Sequence, residues 1–103
     1  MPAQLIALYK KPADPAAFDK YYYETHVPLA KTIPGLRRYE VSSGAVTGGG
    51  GDAGLHLVAM LHFDSMAVIV AGLSSPQGEA TAGDLANFAQ AGVDLLMFET
   101  KEV

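Results

Sequence analysis

Cysteine is absent from this 103-residue chain. That one absence excludes disulfides, thiolate metal sites and a cysteine nucleophile, and it is compatible with a cytoplasmic location. Basic residues are scarce, since seven Lys and Arg against eleven Asp and Glu leave a formal net charge of −4. No basic run exceeds two residues, at Lys10–Lys11 and Arg37–Arg38. A nucleic-acid partner needs a basic footprint, and the sequence has none. Long apolar runs are missing as well. Each is broken well short of the ~20 residues that a membrane helix requires. The first of them precedes its lysines, the reverse of a secretory signal. The expectation is a cytoplasmic protein with neither a nucleic-acid nor a membrane partner.

What is present can build a core. Half the residues are apolar and 17% are charged, a balance suited to one globular domain over residues 1–103. Ala3 to Lys10 alternates as a strand with apolar residues on both faces. Asp14 is placed to cap a helix that begins at Pro15. The helix carries Phe18, Tyr22, Thr25, His26, Leu29 and Ile33 along one face. Pro28 removes one helical N–H, so a kink or a stop is expected one turn after His26. Leu36 to Val46 reads as a second, edge-like strand, and Thr47 to Gly54 as a flexible glycine-rich hairpin loop. Leu55 to Asp64 is a third strand, with His56, Val58, Met60 and His62 sharing one face. Asp64 or Ser65 caps a short helix, Ser75-Pro76 starts another, and Val93 to Val103 forms the last strand.

This order, β-α-β-β-α-β, specifies an α+β, ferredoxin-like fold, a four-stranded antiparallel sheet with its helices on one face. Strands one, three and four are apolar on both faces, yet helices cover only one. A bare apolar face exceeds what soluble monomers tolerate, so a homodimer through the sheet face is expected.

The string DPAAFDKYYYETHVPLAKTIPGLRRYEVSS, from Asp14 to Ser43, holds the pattern F-x-x-x-Y-x-x-x-H-x-P-L followed by I-P-G-L-R-x-Y. Through Phe18, Tyr22, His26, Pro28, Leu29, Pro34, Gly35, Leu36, Arg37 and Tyr39 it resembles the EthD (ethyl tert-butyl ether degradation protein-like) family. That family belongs to the dimeric α+β barrel superfamily, with muconolactone isomerases and small monooxygenases. The resemblance implies a place in the oxidative catabolism of ethers and other organic compounds, without naming a reaction or a catalytic set.

His26 and Tyr22 are the candidate catalytic pair. They lie one turn apart on the apolar face, where imidazole and phenol could share a hydrogen bond and transfer a proton near neutrality. The alternative role for His26 is a core residue bonded to a backbone carbonyl. Tyr9, Tyr39, Met60 and Phe98 are candidates to line a ligand cleft or simply to fill the core, and Arg37 could hold a carboxylate or phenolate. His56 and His62 stand six residues apart on one strand, too far to share a metal, and no metal or other cofactor is expected. Haem would need a histidine free at a cavity mouth. Gly49, Gly51 and Gly54 match G-x-G-x-x-G, but a strand rather than a helix follows, so no nucleotide site is read there.

Two functions fit this pattern. In one, a cleft between sheet and helices binds a small apolar or aromatic molecule, and His26 with Tyr22 moves a proton in a cofactor-independent isomerisation, dehydration or oxygenation. In the other, the chain is a non-catalytic accessory or ligand-binding homodimer with a structural His26.

Overall fold

The computed structural model describes every residue from Met1 to Val103. Strand β1 (Ala3–Lys10) is followed by helix α1 (Pro15–Tyr21), a π-helical segment (Tyr22–His26) and helix α2 (Val27–Ala30). Strand β2 (Arg38–Val41), a small hairpin of β3 (Thr47–Gly48) and β4 (Gly51–Asp52), and strand β5 (Leu55–Phe63) come next. Helices α3 (Met66–Ser74) and α4 (Pro76–Phe88) lead to the last strand, β6 (Val93–Glu99). The main sheet has the order β2-β5-β1-β6, antiparallel throughout. This is the ferredoxin-like arrangement expected from the element order.

Helices α1, α3 and α4 each begin on a side-chain cap. Asp14 accepts from the Ala17 N–H, Ser65 from Val68 and Ser75 from Gly78, and prolines occupy the first positions of α1 and α4, where no N–H is needed. The second strand is shorter than the Leu36–Val46 expectation. At Ser42 the chain still exchanges hydrogen bonds with Val58, but Gly44 then turns with φ +78°, and the strand cannot continue. The glycine-rich segment is a paired hairpin at its centre, where Thr47 faces Asp52 and Gly48 faces Gly51. The last strand ends at Glu99.

The helical stretch stops at Ala30, one turn after His26, and passes through Pro28 at the start of α2, where a missing N–H is tolerated. The irregularity lies earlier. Across Tyr22–His26 the backbone opens to π geometry, and the Val27 N–H bonds to the Tyr22 carbonyl. In an α-helix each i to i+4 step advances the side chain by about 40°, so three such steps would swing it off the core. The wider turn takes up that drift. Phe18, Tyr22, His26 and Ala30 therefore all point inward, whereas Thr25, which an α-helical reading places inside, is exposed.

The core lies between sheet and helices. Ala3, Leu5, Ala7 and Tyr9 of β1 and Leu57, Ala59, Leu61 and Phe63 of β5 alternate inward, against Phe18, Tyr22, Ile69 and Phe88 from the helices. The opposite sheet face carries Ile6, Leu8, Val58, Met60, Leu96 and Phe98. No helix covers it, and Leu96 and Phe98 are 48% and 40% exposed. No helix is long and apolar enough to cross a membrane.

Candidate functional site

The inward faces of β1, β2, β5 and β6 meet the π-helical segment and α4 around a cleft of about 120 Å³. Its lining is apolar or aromatic except for His26 and Thr81. Leu5, Ala7, Ala59 and Leu61 floor it from the sheet, and Leu73, Ala82 and Leu85 wall it from α3 and α4. Leu95 and Met97, half-exposed on edge strand β6, border its open side.

His26 is 4% exposed and lines this cleft. Its Nδ1 lies 2.9 Å from Asp84 Oδ2 on α4. The other Asp84 oxygen accepts from the Tyr21 hydroxyl at 2.6 Å and from Asn87 Nδ2 at 3.0 Å. Burial alone would raise the Asp84 carboxyl, but the donors Tyr21, Asn87 and His26 outweigh it and hold it below its ordinary value. An ionised carboxylate only accepts, so the proton on the imidazole belongs on Nδ1, and Nε2 carries a free lone pair. Burial pulls the His26 pKa below the usual histidine value, against the opposing pull of Asp84. The ring is thus neutral and basic at neutral pH. Nε2 has no hydrogen-bond partner in the chain, and no sealed side-chain nitrogen or oxygen lacks one. Nε2 therefore keeps its opening to the cleft.

The tyrosines are arranged differently from the sequence expectation. Tyr22 stacks on His26 with ring centroids 5.5 Å apart, and the two share no hydrogen bond. The widened π-turn lays the rings face to face and sends the fully buried Tyr22 hydroxyl to Tyr39, 2.5 Å away. Tyr39 projects from β2 into the cleft. Tyr9, 2% exposed, also lines the cleft, and its hydroxyl has no partner within the chain. Burial raises the pKa of all three phenols, so each stays protonated and able to donate.

The other candidates lie elsewhere. Met60 and Phe98 sit on the helix-free face, because two-residue alternation gives the cleft positions to Leu61 and Met97 instead. Arg37 is exposed and grips Asp64 through Nε and Nη2, the shortest contact being 2.8 Å. His56 and His62 do not share a face. A bulge opposite Tyr9 and Lys10 turns His56 to the helix side, where it bonds Asp19 at 2.7 Å, while His62 bonds Glu40 at 3.0 Å on the open face. Each histidine thus has its own carboxylate. No group of three or more potential metal ligands converges.

Sequence reasoning missed Asp84, Tyr21 and Asn87. The available signal was the position of Asp84: Thr81, Asp84, Leu85 and Phe88 follow i, i+3, i+4, i+7 spacing, so a carboxylate occupies the buried stripe of α4. A charge there needs a partner.

The EthD domain family matches residues 10–92. An uncharacterised 11.0 kDa protein from the thcB–thcC intergenic region of Rhodococcus erythropolis is 38% identical over 100 residues, spanning 97% of this chain and 96% of that protein. The crystal structure of an EthD-family protein from Bacillus halodurans superposes with a TM-score of 0.89 at 32% identity, covering 98% of this chain and 100% of that one. A dimeric ferredoxin-like protein of unknown function from Thermobifida fusca shares the fold alone, with a TM-score of 0.67 at 20% identity over 97% of this chain and 92% of its own.

Proposed function

The chain belongs to the EthD family, and from that premise we propose that it binds a small apolar or aromatic molecule in the cleft and moves a proton with His26. The observation that carries this reading is the His26–Asp84 pair. Asp84 holds the imidazole in one tautomer with Nε2 towards an otherwise apolar cavity. A neutral imidazole oriented by a buried carboxylate is a general base, and the dry walls favour transfer of its proton over loss to solvent. Tyr9 and Tyr39 line the same cavity and belong to the binding site. Tyr22, sealed behind Tyr39, serves by orienting it.

The cavity volume of about 120 Å³ approaches the ~150 Å³ of an apolar cavity that holds one benzene. A single ring or a short branched chain fits, and a polycyclic compound does not. Such molecules suit the oxidative catabolism of organic compounds, ethers included, in which the chemistry at His26 is an isomerisation, a dehydration or an oxygenation. The uncovered apolar face of the sheet is the homodimer interface in this reading.

The test is an NMR pH titration of His26, assigned by comparison with His26→Gln, with and without a panel of small aromatic, ether and ketone compounds. A His26 signal that moves on adding a compound, and stops moving when Ala82→Phe plugs the exposed rim of the cleft, supports the base. A His26 signal indifferent to every compound, with His26→Gln costing only stability, makes His26 a strut and the protein a non-catalytic accessory.

A further inference from the structure

Two polar atoms of the cleft have nothing in the chain to bond. Tyr9 is 2% exposed and lines the cavity, and its hydroxyl, which has no partner in the chain, is not sealed and so opens on that cavity. The Tyr39 proton is the second. Tyr22 is completely buried, and its hydroxyl reaches only the Tyr39 oxygen at 2.5 Å. By distance alone either oxygen can donate, but a Tyr39 donor would leave the proton of the fully buried Tyr22 sealed without an acceptor, so Tyr22 donates and Tyr39 accepts. The Tyr39 proton is then free for the cavity. Asp84 lies near enough to Tyr9 for its charge to act on it. The cleft therefore presents two O–H donors and one imidazole lone pair inside apolar walls. Unpartnered donors that open on an apolar cavity suit a ligand with an acceptor.

We infer that the ligand is a small ketone or related carbonyl compound whose oxygen is held by the Tyr9 and Tyr39 hydroxyls, with an adjacent C–H directed to His26 Nε2. This rests on His26 acting as the base. The C–H bond breaks and its proton passes to Nε2. Its electron pair becomes a new C=C bond while the carbonyl π pair moves onto oxygen. The two phenols stabilise that oxyanion without giving up their protons, whose pKa values burial keeps high. Return of a proton to the same carbon restores the ketone. Return to the far end of a conjugated system gives an isomer. No oxidant, metal or cofactor enters the balance.

Cyclohexanone and toluene test this inference on the full-length protein. Toluene fills the same space without an oxygen. Binding is followed through the His26 resonance, and enolisation through deuterium uptake at the carbons beside the carbonyl in D₂O. Tyr9→Phe and Tyr39→Phe should each weaken cyclohexanone about five- to tenfold, the value of one hydrogen bond, and leave toluene unchanged. Each should also slow deuterium uptake roughly a hundredfold, as loss of an oxyanion donor does, and His26→Gln should abolish uptake. Equal loss of both ligands, or of neither, in the two tyrosine variants overturns the inference. If toluene moves His26 while cyclohexanone binds no better and takes up no deuterium, the carbonyl site falls and the His26 cleft stands. If neither ligand binds, both fall.

Discussion

Asp84 and His26 are 58 residues apart in sequence and 2.9 Å apart in space, both closed off from solvent on the helix side of the sheet. The contact joins α4 to the π-helical segment and decides which imidazole nitrogen faces the cleft. Asp84→Asn keeps the shape and removes the charge. The amide can present either its oxygen or its NH₂ to Nδ1, so the imidazole is released to mix tautomers. Asp84→Ala leaves the buried His26 Nδ1–H without an acceptor, while the half-buried Tyr21 and the exposed Asn87 turn to water. It should cost about 1–3 kcal/mol, since a buried donor stripped of its partner loses more than an ordinary hydrogen bond gains. Nitrogen chemical shifts of His26 report the first effect, and urea unfolding reports the second.

Acid should unfold the protein in two stages. Burial depresses the His26 pKa in the folded state. As pH falls through ~6.5 the unfolded chain takes up a proton that the folded chain resists, so stability declines from there down to the folded value. The Asp84 carboxyl is also held low, by Tyr21, Asn87 and His26 against burial. Its contribution is present above the unfolded value of ~3.9 and disappears as pH drops through the folded one. Both effects have the same sign, and acid opposes folding. Urea midpoints at a series of pH values check this: His26→Gln should flatten the first decline and keep only the part of the second that Tyr21 and Asn87 supply.

Gly78 and Gly83 belong to the same helix and should respond oppositely to alanine. A Cβ on Gly78 would stand 2.1 Å from the Gly72 carbonyl oxygen and 2.5 Å from Leu73 Cα. The start of α4 lies against the end of α3, and backbone cannot yield there. Gly78→Ala should destabilise by about 1–3 kcal/mol, the scale of core overpacking. A Cβ on Gly83 meets nothing within 4 Å, so Gly83→Ala should stabilise by roughly 0.5–1 kcal/mol through helix propensity alone. Thermal unfolding of the two variants checks both signs.

Met60 is at the centre of the helix-free face, opposite Ile6 on β1 and Glu40 on β2. If a second copy covers that face, Met60→Glu places a carboxylate in an apolar interface, which costs several kcal/mol. Sedimentation equilibrium should show wild type at twice the chain mass and the variant at one. The cleft is on the other side of the sheet, so toluene binding should survive in the monomer.

The sequence by itself determined the layers. Strand alternation, the caps at Asp14, Ser65 and Ser75, and the stop after Pro28 are local, and each rests on backbone geometry within a few residues. They were enough for the element order and for an apolar sheet face in need of a cover. His26 and Tyr22 stood out because polar groups on an apolar stripe are uncommon. Tyr9 stood out at the end of its strand and Tyr39 as an inward residue of the next.

Only the tertiary structure decided who bonds whom. Whether a helix adopts a π-turn depends on how its face must meet the sheet, and that turn separated Tyr22 from His26 and sent its hydroxyl to Tyr39. The Asp84–His26 pair joins α4 to the π-helical segment, and their meeting follows from how both pack on the sheet and from the close approach of α4 to α3 at Gly78. A bulge opposite Tyr9 and Lys10 parted His56 from His62, and pairing register put Met60 and Phe98 on the far face. Periodicity carries the direction of a side chain relative to its own element. The partner it meets depends on the summed positions of elements far apart in the chain, so the His26–Asp84 pair at the cleft emerges only when the helices are docked.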